Sequence, residues 1–300
     1  MANNKTYQYL PSETLDSLHN IELVARNLVE GGMLGLHRSP YHGFSSEFAE
    51  YRKYSSGDNL KYLDWKVLAR TDRYYIKRFE EETNLRSYIV LDQSASMGMS
   101  DSGAPVKFNY ACYIAAAFMY LMHQQHDGVG LFTYSDRIRK ALDCKSSRTH
   151  LMNLLKSLEN MKPSGKSNAE HCLTKIAERV QKRSLVIIFS DFFDYKPDFL
   201  KALHHLTFKG CEVILFQVLN DLEKEFPYKG LIEFEDIETG TTIDLESDAC
   251  RDYFLKELNK YNAKLKHFCD TRKIAFETLT TSTPFEKALL AYFSKREELF

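Results

Sequence analysis

An apolar run that stops at a carboxylate constrains this chain more than any other feature. Tyr88-Ile89-Val90-Leu91 carries no charge, and the following residues read Asp92-Gln93-Ser94-Ala95-Ser96-Met97. A short run of this kind predicts a strand buried on both faces, hence a parallel sheet covered by helices. In open sheets of that type ligands gather beyond the carboxyl ends of the strands, which is where Asp92, Ser94 and Ser96 fall. One carboxylate and two hydroxyls form a hard oxygen set that suits Mg²⁺ or Mn²⁺, ions that need few carboxylates and keep several waters. Asp and Ser also cap helices by accepting bonds from free backbone N–H groups. The strand alone therefore leaves metal ligand and helix cap equally open.

The rest of the chain supplies the sheet that such a strand requires. Helical spacing covers Phe108 to Met122 and is apolar around much of its circumference, as a helix lying on a sheet would be. Apolar runs at Val129 to Tyr134, Leu185 to Phe189 and Val213 to Val218 alternate with helical patterns around Arg148 to Leu158, Ala169 to Gln181 and Phe199 to Phe208. This alternation predicts an α/β fold with a doubly wound, mainly parallel sheet flanked by helices. An acidic, irregular stretch from Asp221 to Asp244 precedes a long helix over Ser247 to Asp270 and a last strand at Ile274 to Leu279, and Pro284 opens a terminal helix. Upstream, apolar residues at Leu15, Leu18, Ile21, Val24 and Leu28 predict an amphipathic helix over 12–30. Tyr74 to Glu82 and Arg86 to Leu91 read as two antiparallel strands joined at Thr83-Asn84. These patterns divide the chain into an N-terminal helix/β extension, 1–83, and a main domain, 84–300.

Composition narrows the functional classes. With a net charge of −1 over 300 residues, overall charge predicts neither a nucleic-acid nor a membrane partner. From Gly35 to Arg78 nine Lys/Arg stand against five Asp/Glu, but the acids are interleaved and would repel phosphate. Six widely spaced cysteines form no C-x-x-C pair, as expected of reduced thiols in the cytoplasm. The N-terminus lacks a signal-peptide core, and the apolar stretch Ile114 to Met122 is too short to insert directly into a membrane.

A second strand end completes the constellation. Leu185-Val186-Ile187-Ile188-Phe189 runs into Ser190-Asp191, which puts a second carboxylate at the same sheet edge as Asp92. Between the two strands, Pro163-Ser164-Gly165-Lys166-Ser167-Asn168 forms a glycine-containing loop that could bring one more hydroxyl there. In order and context this set resembles the metal-ion-dependent adhesion site of von Willebrand factor A-like domains. There D-x-S-x-S follows the first strand, a Thr comes from an intermediate loop, and an Asp ends a later strand. The resemblance implies Asp92, Ser94, Ser96, Ser167 and Asp191 as ligands of Mg²⁺ or Mn²⁺. Ser167 replaces the family's Thr, and Ser164 is an alternative. Upstream, Arg38-Ser39, Gly43, Glu47-Phe48, Glu50, Arg52, Tyr54, Gly57-Asp58, Asp64-Trp65 and Ala69-Arg70 resemble the signature of the family called domain of unknown function 58. So do Leu222-Glu223 and Asp236-Ile237-Glu238-Thr239-Gly240 downstream. That family implies a von Willebrand A-like fold and an association with MoxR-type AAA+ ATPases.

The signature segment 35–78 holds Glu47, Arg52, Asp58, Asp64 and Arg70, which predict an ion-pair network closing the extension onto the domain, with Trp65 as an apolar anchor. A partner-docking surface is the other reading of the same residues. For function, the resemblance implies a non-enzymatic adaptor. A cation held by two carboxylates and three hydroxyls keeps an open position for an Asp or Glu of a client protein, handled together with a MoxR-type ATPase. The competing reading is a metal-dependent hydrolase or phosphotransferase using the same ion. Against it, Gly165-Lys166-Ser167 lacks the first glycine of a phosphate-binding loop, and the site region offers no evident general base.

Overall fold

The computed structural model describes residues 46–54, 63–81, 85–100, 105–193 and 197–284. The amphipathic helix expected over 12–30, the terminal helix after Pro284 and the division at 83/84 lie outside these residues, as do the side chains of Glu47, Arg52 and Asp58. The first elements are β1 (Ser46–Lys53), α1 (Trp65–Thr71) and β2 (Tyr75–Glu81). β1 and β2 pair antiparallel in a sheet of their own. Asp64 caps α1 by accepting from the N–H groups of Lys66 and Val67 at 2.9 and 3.1 Å. Trp65, expected as an anchor, is instead 64% exposed at the first position of this two-turn helix.

The main sheet contains β3 (Arg86–Asp92), β4 (Gly128–Tyr134), β5 (Ile138–Lys145), β6 (Leu185–Ser190), β7 (Glu212–Leu219) and β10 (Ala275–Thr280), in the order β10-β7-β6-β3-β4-β5. All neighbours are parallel except β5, which pairs antiparallel with β4. The expected antiparallel partner of β3 is corrected here. Both edges of β3 are taken by parallel strands, β4 and β6, and β2 satisfies its own ladder with β1. β5 went unpredicted because Ile138-Arg139-Lys140-Ala141-Leu142-Asp143-Cys144-Lys145 buries only alternate residues, and those only partly.

Alternation along β3 explains the layers. Ile89 and Leu91 pack on one face with α2 (Lys107–Gln124) and α3 (Arg148–Glu159). Tyr88 and Val90 pack on the other with α4 (Ala169–Arg179), α5 (Pro197–Phe208) and α7 (Ser247–Thr271). Successive strand side chains point to opposite faces, so a strand covered on both sides must be apolar throughout. The acidic stretch holds more order than its sequence suggests. It forms α6 (Asp221–Glu225) and a hairpin of β8 (Leu231–Glu235) and β9 (Thr242–Glu246). Stacked Phe226 and Phe234, with Tyr228 and Phe254 against them, join the hairpin to α7.

All six cysteines are free thiols. Among the described residues no helix is long and apolar enough to cross a membrane.

Candidate metal centre

Strand order decides where the site must be. Counted from β3, the sheet winds outward one way through β4 and β5 and the other way through β6, β7 and β10. The winding reverses between β3 and β6, and the crevice beyond their carboxyl ends is the expected ligand position. Asp92 ends β3, and Ser190-Asp191 ends β6.

The side chains converge as this placement requires. Asp92 is 1% exposed; its Oδ1 accepts from the Ser94 N–H at 2.9 Å and its Oδ2 from the Ser190 hydroxyl at 2.8 Å. Burial and the nearby Asp191 carboxylate push Asp92 up to about 6, against the opposing bonds from Ser94 and Ser190. Ser94 Oγ and Ser96 Oγ share a hydrogen bond at 3.1 Å. Ser94 precedes a short 3₁₀ turn (Ala95–Gly98), but its side chain makes no cap bond there. Asp92 accepts the N–H of Ser94, which lies ahead of the turn, so neither side chain caps it.

The loop bearing Ser167 is stitched to this strand end by backbone bonds. The Ser164 N–H donates to Gln93 O and the Ala95 N–H to Gly165 O, both at 2.8 Å. Gly165 takes φ +81°, a conformation that glycine adopts without strain. A cleft of about 380 Å³ results, lined by Asp92, Ser96, Ser167, Asp191, Asp236 and Glu238 among others. Ser94 sits behind Ser96, fully buried. Ser167 lines the cleft and Ser164, exposed, is absent from its lining.

Three residues hold Asp191 in place, and sequence reasoning singled out only one of them, Glu223, as part of the family signature and without a role. Lys107 opens α2 with a fully buried side chain, and its Nζ donates to Asp191 Oδ2 at 2.9 Å and Glu223 Oε1 at 2.6 Å. Burial pulls the Lys107 pKa down, but Asp191 and Glu223 together override it and hold the ammonium above its ordinary value. Glu223 is fixed by a capping box with Asn220 at the start of α6. From β7, buried Gln217 donates to the Asp191 backbone oxygen and to Asn262 Oδ1, both at 3.0 Å. The available signals were a lysine opening an apolar helix, where the helix dipole disfavours a cation, and a glutamine inside an apolar strand. Directly after Asp191, Phe192 sits at φ +55°, uncommon for a bulky residue. Tyr261 donates to its carbonyl and Ser190 Oγ accepts its N–H at 3.1 Å, which holds the turn.

These residues fit a small divalent cation. At metal–oxygen distances of about 2.1 Å, neighbouring ligands of an octahedron lie about 3.0 Å apart, close to the serine pair. The Tyr134 hydroxyl is buried with no hydrogen-bond partner among the described residues, and burial and then Asp92 raise it well above its usual range. The donor set is oxygen only. Among the described residues no group of three or more His, Cys, Asp or Glu is arranged to hold a metal, so hydroxyls must supply part of any shell.

Comparison with known proteins places the chain. Residues 50–264 match the model of the family described as "Protein of unknown function DUF58". An uncharacterized protein of Mycobacterium bovis is 24% identical over 251 residues, spanning 82% of this chain and 78% of its own length. Among solved structures, the conserved hypothetical protein BatB from Bacteroides thetaiotaomicron aligns at 16% identity and TM-score 0.48 over 71% of this chain and 99% of its own. The SpRpn10 VWA domain aligns at 11% identity and TM-score 0.43 over 69% and 94%.

Proposed function

For a chain that belongs to the family described as protein of unknown function DUF58 and has a von Willebrand factor A-like fold, we propose a metal-dependent adaptor that captures acidic residues of other proteins. The observation that carries this reading is the convergence of Asp92, Ser96, Ser167 and Asp191 on one cleft at the point where the sheet reverses its winding. Asp92, Ser94, Ser96, Ser167 and Asp191 would hold Mg²⁺ or Mn²⁺. Neutral hydroxyls leave such an ion much of its charge, and a carboxylate from a second protein is the natural group to complete its shell. Without the cation, a cleft lined by Asp92, Asp191, Asp236 and Glu238 repels an incoming acid, so capture depends on the metal.

We assign the client to complexes assembled or matured with a MoxR-type AAA+ ATPase, a partnership that rests on the family resemblance. The compartment proposed is the cytoplasm, in keeping with six free thiols.

Thermal and chemical unfolding with Mg²⁺, Mn²⁺ or EDTA test the site. An ion at about 100 times its dissociation constant adds roughly 2.7 kcal/mol to the wild type and nothing to Asp92→Ala. Equal stability of the wild type with metal and with EDTA would sink the metal reading. Pull-down from the native extract tests the adaptor: partners retained with Mg²⁺ are lost with EDTA and with Asp92→Ala. Recovery of the same partners by that variant speaks against it.

A further inference from the structure

Asp236-Ile237-Glu238-Thr239-Gly240 belongs to the family signature, yet none of its residues is in the ligand set above. The five form the tip of the β8–β9 hairpin. Asp236 builds the turn. Its Oδ1 accepts the N–H groups of Glu238 and Thr239 at 2.8 and 3.3 Å, its Oδ2 accepts the Thr239 hydroxyl at 2.6 Å, and its carbonyl accepts the Gly240 N–H at 2.7 Å. Gly240 closes the turn at φ +69°. Both Asp236 side-chain oxygens are used inside the turn, which gives the tip a fixed shape.

Three successive tip residues meet a single segment, 161–167, which links α3 to α4. Glu238 Oε2 accepts the backbone N–H of Ser167 at 3.0 Å. Ile237 lines a pocket with Met161, Lys162 and Pro163. Asp236, held below the usual carboxylate range chiefly by the Thr239 hydroxyl, also feels the positive charge of Lys166. From its other side the same segment is bonded to the end of β3. The Gln93 side chain donates to Lys162 O at 2.7 Å, and Gln93 O and the Ala95 N–H engage Ser164 and Gly165. These bonds stop at Gly165, whose φ of +81° turns the chain, and beyond it the Ser135 carbonyl takes the Asn168 N–H. For the N–H of Ser167, between those anchors, the bond is the one to Glu238.

We propose that the hairpin tip is a clamp on this segment and that Glu238 is its positioning residue, setting through the Ser167 N–H where the Ser167 hydroxyl stands in the cleft. The inference rests on the metal reading only where it makes that hydroxyl a ligand. Glu238 does not itself join a shell, since among the described residues no three of His, Cys, Asp or Glu are arranged to hold one ion. Its bond is nevertheless a strong one, because an ionised carboxylate accepts an N–H more tightly than a neutral oxygen does. Serine lacks the branch that restricts threonine, so the backbone is what remains to place its hydroxyl. The clamp also accounts for the order of the signature: Asp236 shapes the turn, Ile237 seats it, Glu238 holds the amide and Gly240 closes it.

Amide hydrogen exchange of the metal-free full chain, read by nuclear magnetic resonance, and Mn²⁺ titration followed by electron paramagnetic resonance test the clamp. In Glu238→Ala the Ser167 N–H is expected to exchange about tenfold faster than in the wild type, while unchanged amides in β3 and β6 show that the fold persists. The Mn²⁺ affinity of that variant should fall about tenfold, as on loss of other groups that orient a ligand. Glu238→Gln keeps an acceptor for the amide but no charge, and should recover most of the loss in both measurements. Equal exchange at Ser167 in the wild type and Glu238→Ala overturns the clamp. Equal loss of Mn²⁺ affinity in the two variants overturns it too, because the carboxylate then acts by charge alone. A wild type that shows the exchange pattern but binds no Mn²⁺ upholds the clamp and sinks the metal reading, so the two failures are told apart.

Discussion

Both edges of the main sheet bury an aspartate, and the two are set to different tasks. At the carboxyl edge, Asp92 meets two donors on its two oxygens, a second carboxylate, a serine pair and an orphaned tyrosine hydroxyl. At the amino edge, Asp127 is 2% exposed and accepts one bond, from the Leu85 N–H at 3.1 Å. Burial raises both, Asp92 to about 6 and Asp127 to about 7. An orphaned hydroxyl does not tell them apart, since Ser87 Oγ, near the amino edge of β3, is orphaned too. Convergence does. Among the described residues nothing at the amino edge brings a second carboxylate or a loop hydroxyl into a hydrogen bond with Asp127, which reads as a latch between β4 and the start of β3. A perturbed carboxylate becomes a functional candidate when independent elements aim polar groups at one point.

The largest expected effect tests the carboxyl edge. Replacing Lys107 by Met leaves Asp191 and Glu223 buried without their counter-charge, and breaking a buried pair from one side costs about 3–5 kcal/mol. Urea unfolding should show that loss, and adding Glu223→Gln should recover part of it, because residues of one network are not additive. A loss under about 1 kcal/mol would mean that the triad is not what holds Asp191.

At the amino edge the expectation is a pH dependence of stability. Asp127 has its folded pKa raised above the unfolded value. From about pH 4 to 7 the unfolded chain releases this proton while the folded chain keeps it, so rising pH favours unfolding. The penalty is fully present above pH 7 and amounts to at most about 4 kcal/mol. Asp127→Asn keeps an acceptor for Leu85 and cannot ionise. Denaturation curves of the two proteins should coincide near pH 4 and diverge with the variant more stable at pH 8. Parallel curves across that range would show that Asp127 ionises without cost. The same variant should retain the metal-dependent stabilisation that Asp92→Asn loses, which turns the comparison of the two edges into a single experiment.

What could be read from the sequence follows from how physics writes into it. Strands buried on both faces must be apolar at every position, so β3, β4, β6 and β7 stood out, and the residues ending β3 and β6 marked the site. The structure brings Asp92, Ser96, Ser167 and Asp191 to one cleft. Lys107 and Gln217 are single polar residues in apolar contexts that no period reports, and Glu223 stood out only as part of the family signature, with no role attached. Their meaning exists only once three elements meet. The hairpin was hidden for a related reason: Leu231 to Glu246 is largely exposed, so its alternation of acids and apolar residues resembled an irregular loop. The pairing of β2 was misjudged because a short connection to β3 suggested a hairpin, whereas both edges of β3 were already claimed from further along the chain.

The smallest expected effect separates backbone cost from site geometry. Gly165 at φ +81° and Gly230 at φ +70° both occupy the left-handed region, where a Cβ costs about 1–2 kcal/mol. Around Gly230 an added Cβ meets nothing within 4 Å, whereas at Gly165 it lies 3.0 Å from Arg139 Nη2. Arg139 is itself held, donating from Nε to Ser135 Oγ at 2.7 Å and pairing with Asp136 at 2.8 Å. Ser135 O in turn accepts the Asn168 N–H at 2.8 Å, so a push on Arg139 is passed to the residue beside Ser167. Gly165→Ala and Gly230→Ala should therefore lose similar stability in urea, while only Gly165→Ala weakens Mn²⁺ binding. Equal affinities in the two variants would show that the position of the Ser167 loop does not matter to the ion, and Ser167 would drop from the ligand set.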